Sequence, residues 1–293
     1  MMVSGPFSAR SHPRGDAAAN ETYHSGGALS RDRAENRTLR LLLPIVVLAL
    51  GLGIWELVVW IGGIPRYLLP GPDLVLRTLF VDRVLLFQSL QVTLTTTFEG
   101  FLLAAAGGMG LAILFNQSRL VEYSLYPYAV ILQVTPIIAI APLLLVYLQQ
   151  QTAVLVCAWI VAFFPVLANT TLGLGSVDRN LVDLFSLYGA SRWQVLWRLK
   201  LPSALPHLLG GLRIAGGLSL IGAVAAEIAA GSAGAGSGLA FRIVESEYRL
   251  RIPRMFAALL LLSIAGIVIF YLLSLINYLA LRRWHESVLN VER

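Results

Sequence analysis

The stretch Ser176-Val177-Asp178-Arg179-Asn180-Leu181-Val182-Asp183-Leu184-Phe185-Ser186-Leu187-Tyr188-Gly189-Ala190-Ser191-Arg192-Trp193-Gln194-Val195-Leu196-Trp197-Arg198-Leu199-Lys200-Leu201-Pro202 lies in the longest gap between the strongly apolar runs of this chain. Leu181, Leu184, Phe185 and Tyr188 fall on one face of a first short helix. Gly189 ends that helix. Ser191 opens a second one, with Gln194 three residues on in capping-box spacing, and Pro202 is expected to stop it. A helix, a glycine turn and a helix thus protrude between two apolar segments. Two readings stand on these residues alone: an amphipathic connector lying on a membrane surface, or a docking element for a partner.

The apolar runs on either side define the setting. Of 293 residues, 57% are apolar and 13% charged, against about 45–50% and about 25% in soluble domains. That excludes an ordinary soluble enzyme and a disordered chain. The formal charge of +6 comes from arginines, with Lys200 the only lysine, and they sit mostly in the gaps. They form no basic face interleaved with aromatics, so no nucleic-acid partner is indicated.

Six segments approach the ~20 residues that cross a bilayer: 39–62, 88–115, 123–148, 152–175, 207–230 and 255–281. The expected fold is all-α, a polytopic membrane protein with a six-helix domain over 39–287. Residues 1–38 read as a disordered tail, being polar and without periodicity, and 288–293 as a short second tail. Pro127, Pro136 and Pro142 predict a kinked or broken third segment. Such a break suits a pathway element and suits plain kinked packing.

The basic residues set the orientation. With the N-terminus inside, the inner stretches hold Arg10, Arg14, Arg31, Arg33, Arg37, Arg40, Arg119, Arg179, Arg192, Arg198, Lys200, Arg282, Arg283 and Arg293. The outer stretches hold Arg66, Arg77, Arg83, Arg242, Arg249, Arg251 and Arg254. The excess places both termini and the 176–206 connection in the cytoplasm.

No catalytic constellation emerges. His12, His24, His207 and His285 form no metal-binding pair, Cys157 stands alone, and Gly107-Gly108-Met109-Gly110 lacks the strand and Lys of a phosphate loop. Glu56, Glu99 and Glu227 are the carboxylates within spans, where a charge faces a cavity or a partner. Gly211, Ala215, Ser219 and Ala223 recur every four residues and lead to Glu227. This stripe is either a pathway or dimer seam or tight packing inside one subunit. Glu56 and Glu99 are read as structural or as lining a pathway without touching its cargo. The segment 231–253 is read as a solvated outer loop, with contact to an outer partner or a cap over a pore entrance as the rivals.

The connection also resembles the cytoplasmic signature of bacterial ABC importer permeases: Glu-Ala-Ala, three residues, Gly, nine residues, Ile, any residue, Leu-Pro. Gly189 takes the glycine place, Ala190 to Arg198 are the nine residues, Leu199 replaces Ile, and Leu201-Pro202 close it. Asp183, Leu184 and Phe185 stand at the opening, where Asp183 keeps the carboxylate. From about 65 to 287 the chain is similar to the nitrate/sulfonate/taurine-type branch: Leu69-Pro70-Gly71-Pro72, Thr93-Leu94, Gly100, Thr135-Pro136, Ala141-Pro142-Leu143, Gly189-Ala190-Ser191-Arg192-Trp193 and Arg282-Arg283-Trp284-His285-Glu286. The resemblance implies a permease homodimer with two ATPase subunits inside and a solute-binding protein outside. It implies coupling through 178–202, at Asp183, Tyr188, Gly189, Ala190, Arg192, Leu201 and Pro202. The chain itself would hold no cofactor, ATP and magnesium residing on the partner ATPases. An ion-driven secondary transporter is the alternative, and it calls for paired broken helices in two halves; only the third segment is of that kind.

Orientation is open to a direct check. Ser30→Cys and Asn290→Cys, each in a Cys157→Ser background, are expected to react with a membrane-impermeant maleimide only after permeabilisation. Labelling of either in intact cells reverses the topology.

Overall fold

A computed structural model describes residues 22–231 and 236–282, with side chains from 42 onward. Every regular element among them is helical. They fall into two units that meet at Ile64 and Pro65. The first contains α1 (Thr22–Ile61), whose apolar part, Leu42–Ile61, is 20 residues long. Residues 22–38 are therefore helical rather than the irregular tail expected. Ala, Leu, Arg and Glu are frequent from Ala28 to Arg40, and a helix propagates readily from an apolar run that already forms one. Residues 1–21 and 288–293 of the expected tails lie outside the described residues.

The second unit runs α2 (Pro72–Val81), α3 (Arg83–Gln117), α4 (Arg119–Val134), α5 (Ile137–Tyr147), α6 (Gln150–Gly175), α7 (Arg179–Leu187), α8 (Arg192–Val195), a π-helical turn (Leu196–Lys200), α9 (Leu201–Ala230), α10 (Leu239–Tyr248) and α11 (Ile252–Leu281). With α1, five helices are long and apolar enough to cross a membrane. The α4–α5 pair makes a sixth if it is one broken span, bent by 100°. Of its three prolines, Pro136 causes the break. It follows Thr135 in an extended conformation, as a residue before proline prefers, and Thr135 Oγ1 donates to Ile131 O at 2.6 Å to close the end of α4.

The core forms around α6, which lies between α3 and α9. Small residues on both neighbours let the backbones approach. A Cβ at Gly100 of α3 would stand 2.7 Å from Ala158 Cβ, and one at Gly222 of α9 would stand 2.8 Å from Cys157 O and 3.0 Å from Ala158 Cα. Lipid offers no hydrophobic drive between helices, so such close packing and its dispersion energy hold the bundle. Phe115, Val166, Leu167, Leu174 and Leu196 fill the end of the core nearest α7 and α8.

Two further expectations need correction. Pro202 does not end the second short helix: helix runs without interruption from Arg192 to Ala230. Proline lacks the N–H that would reach Arg198 O and crowds that carbonyl. The wider turn just before it, in which Leu201 N donates to Leu196 O five residues back, accommodates the proline. The fifth span thus begins well before 207. Likewise, 239–248 is a helix and not a solvated loop; Leu239, Ala240 and Phe241 are buried in the bundle.

Ser219 of α9 has no exposed surface, and its Oγ donates to Thr97 O of α3 at 2.8 Å. Ser219→Leu is expected to overpack this contact and cost about 2 kcal/mol or more. Ile221→Leu, on the exposed side of the same helix, should cost less than ~0.5 kcal/mol. Thermal unfolding in detergent separates the two; equal melting temperatures would refute the assigned face.

Candidate functional site

The protruding segment folds from local signals. Asp178 caps α7, its Oδ1 accepting from Asn180 N at 2.9 Å. The helix ends in a Schellman closure: Ala190 N donates to Phe185 O and Gly189 N to Ser186 O, both at 3.0 Å. Gly189 sits at the left-handed position with φ +71°, which glycine adopts without penalty. Ser191 then forms the expected capping box, with Ser191 Oγ accepting from Gln194 N and Gln194 Oε1 accepting from Ser191 N at 2.7 Å.

The pair of helices presents an unusual surface. Leu187 and Tyr188 are each 85% exposed, and Leu181, Leu184, Trp193 and Trp197 are exposed as well. Asp183 and Arg192 are exposed and Ala190 half-buried. Leu184, Phe185, Tyr188, Gly189, Ala190, Gln194 and Arg198 line an open hollow of about 500 Å³. A second hollow of about 220 Å³ brings Arg192 and Lys200 beside Asn116 and Gln117 of α3. There Lys200 Nζ donates to Asn116 Oδ1 at 3.0 Å, fixing the segment to the end of α3. Leu201 and Pro202 are half-buried inside the continuing helix.

At the other end of the bundle the small-residue stripe turns inward. Gly211, Ala215, Ser219, Ala223 and Glu227 are all buried within the subunit. A Cβ at Gly211 would stand 2.7 Å from Asn169 Cβ of α6. Glu227 is only 3% exposed. Its carboxylate accepts from Thr93 Oγ1 of α3 at 2.8 Å and from Ala240 N at 3.0 Å, while Thr93 Oγ1 accepts from Leu239 N at 2.7 Å. Two free N–H groups at the start of α10 are thereby satisfied, Ala240 N by the Glu227 carboxylate and Leu239 N by the Thr93 hydroxyl. Gly238 makes room for this, because a Cβ there would collide with the Glu227 carboxylate. Thr93 and Gly238 were not singled out by sequence as partners of Glu227. Thr93 is 134 residues away, and no local spacing links them.

Ion pairs complete this end. Arg254 Nε meets Asp82 at 2.6 Å, joining the start of α11 to the α2–α3 junction. Arg242 meets Glu245 at 2.7 Å and donates to Ser89 Oγ at 3.0 Å. The Arg242 guanidinium holds the Glu245 carboxyl below the usual carboxylate range. On the exposed face of α3, Gln88, Gln91, Thr95 and Glu99, with Gln151 and Thr152 of α6, line an open groove of about 660 Å³.

Residues 103–286 match the family model described as the inner membrane component of binding-protein-dependent transport systems. The chain belongs to that family. Over 234 residues this permease is 35% identical to a probable ABC transporter permease protein of Haemophilus influenzae, covering 80% of this chain and 94% of the relative. It is 35% identical to a formylaminopyrimidine transport permease of Halalkalibacterium halodurans, over 79% and 92% of the two chains. A putative aliphatic sulfonates transport permease of Bacillus subtilis is 30% identical over 77% and 80%. In fold the permease resembles a chain of an amino acid ABC transporter, with TM-score 0.57 at 18% identity over 70% of this chain and 97% of the other. A chain of a methionine ABC transporter gives TM-score 0.53 at 18% identity over 66% and 92%. The protein is thus a multi-pass inner-membrane permease subunit of an ABC importer, a class that works with ATPase subunits and a binding protein.

The Glu227 cluster generates a stability prediction. Thr93→Val removes the hydroxyl from both the carboxylate and Leu239 N, and should cost about 2–4 kcal/mol. Thr93→Ser keeps the hydroxyl and should cost under ~1.5 kcal/mol. Thermal unfolding of both variants in detergent checks this, and equal losses would show that the hydroxyl is not what matters.

Proposed function

We propose that the α7–Gly189–α8 segment is the surface on which the ATPase subunits dock, through Asp183, Tyr188, Gly189, Ala190 and Arg192, with Leu201 and Pro202 fixing the helix behind them. The observation that carries this is the surface itself. Leu187, Tyr188, Trp193 and Trp197 are large, exposed and held on a rigid, fully capped turn. Exposed apolar side chains on an ordered element rimmed by arginine fit a protein partner.

On this reading the segment lies in the cytoplasm, both termini lie on that side, and the permease domain spans 39–287. The chain pairs with a second copy, binds neither ATP nor magnesium and performs no catalysis; hydrolysis belongs to the ATPases. A small polar solute arrives from the external binding protein, as the relatives named for formylaminopyrimidine and sulfonate transport suggest. Transport proceeds by alternating access, which requires that the ATPases hold the two states with different affinity.

Gly189 gives the test. Valine at φ +71° is strained by about 1–2 kcal/mol, whereas asparagine tolerates that region. No atom lies within 4 Å of a Cβ at this position, so strain and partner fit, not an internal clash, decide the outcome. Gly189→Val is expected to reduce ATPase co-purification and stimulated hydrolysis about fivefold or more at unchanged membrane abundance. Gly189→Asn should stay close to the parent. Normal stimulated hydrolysis in Gly189→Val would overturn the docking assignment.

A further inference from the structure

The groove on α3 is the least lipid-like surface of the spanning helices. Gln88, Gln91, Thr95 and Glu99 follow one another at spacings of three and four, so they share one helical face, and all four are exposed. α3 has 35 residues and is about 52 Å long, against a hydrocarbon core of about 30 Å. Glu99 is the seventeenth of those residues, so it stands near mid-span. Glu99 has no hydrogen bond or ion pair among the described residues. A carboxylate and three polar side chains in that position cannot face acyl chains; they need water, a polar cargo or a partner.

The groove also has a direction. The stripe climbs from Glu99 toward the α3 end that holds Asp82 and Arg83, the end remote from α7 and α8, where Gln151 and Thr152 of α6 join it. It therefore opens on the face opposite the docking segment. Glu99 is the single charged residue of its lining. The remaining polar lining consists of amides and hydroxyls, which hydrogen-bond without adding charge.

We propose that this groove is a wall of the solute pathway, and that Glu99 makes it favour solutes presenting a cation or several hydrogen-bond donors over small inorganic anions. The proposal rests on the permease reading above. A carboxylate at mid-span attracts positive charge and donor-rich faces and repels anions, and it does so more strongly where the surrounding dielectric is low. Glu99 acts here as a selectivity residue, and the amides of Gln88 and Gln91 as the steps that lead to it.

The test uses the full transporter, with permease, ATPases and binding protein, and Cys157→Ser as the parent. Thr95→Cys is treated with a cationic and an anionic methanethiosulfonate of similar size. The expected result is modification of Thr95→Cys by both reagents, at least tenfold faster with the cationic one, and near-equal rates when Glu99→Gln is added. Leu272→Cys, on an exposed apolar stretch of α11, should resist both reagents. Equal rates at Thr95→Cys with Glu99 intact would overturn the selectivity role. An unreactive Thr95→Cys that instead forms a disulfide between two permease chains would overturn the pathway assignment and make the stripe a subunit interface. Co-purification of the ATPases is read in the same samples. Its loss in the parent would count against the permease reading, whereas altered rates with the complex intact count only against the groove.

Discussion

The carboxylate of Glu227 holds together three elements that the chain brings in from far apart. It takes its hydrogen bonds from α3 and from the first turn of α10 while standing on α9. A charge buried among apolar helices is tolerable only when its lone pairs are filled, so the position of each partner is tightly constrained. Thr93 fixes the depth of α3 against α9, and Gly238 fixes how closely the chain must return before α10 begins. The ion pair of Arg254 and Asp82 then closes the same end around α11. The lower part of the bundle needs none of this, because Phe115, Val166, Leu167 and Leu196 pack there as an ordinary apolar core.

The two ends of the molecule thus differ in kind. One is a polar network organised around a buried acidic side chain. The other is an apolar core that carries an exposed, capped helix pair. Between them α6 is gripped by small residues from both sides, so α3 and α9 share one close-packed neighbour. Where backbones approach this closely, few side chains lie between the helices to repack, so α6 links the two ends of the bundle directly.

The α7–α8 segment was the part most readable from sequence, because its structure is made by neighbours. Gly189 and the Ser191–Gln194 box each act within a few residues and appear as expected, while the equally local Asp178 cap was not singled out. The apolar lengths also located the spans, and the three prolines of the third segment announced a break that the structure places at Pro136. Pro202 misled, because the rule that proline stops a helix assumes an unbroken α-helical ladder, and the widened turn before it removes that assumption. The stripe from Gly211 to Glu227 was visible as a pattern, yet periodicity cannot say which surface a face meets. That depends on Asn169, Thr97 and Thr93, which lie on other helices. The polar spacing of Gln88, Gln91, Thr95 and Glu99 was equally present in the sequence. Its meaning came only with the observation that all four side chains are left uncovered.

The widened turn at Leu196–Lys200 has a mechanical consequence. Because it absorbs Pro202 without a break, Arg192 and Ala230 are opposite ends of one 39-residue helix, about 58 Å in length. Displacement of the exposed end is therefore carried toward Glu227 along one continuous helix. The turn is one of two places along that rod where the hydrogen-bond ladder is already loosened, Pro206 being the other. A small change of pitch there would rotate everything beyond it, and the acid at the far end would be carried round with it.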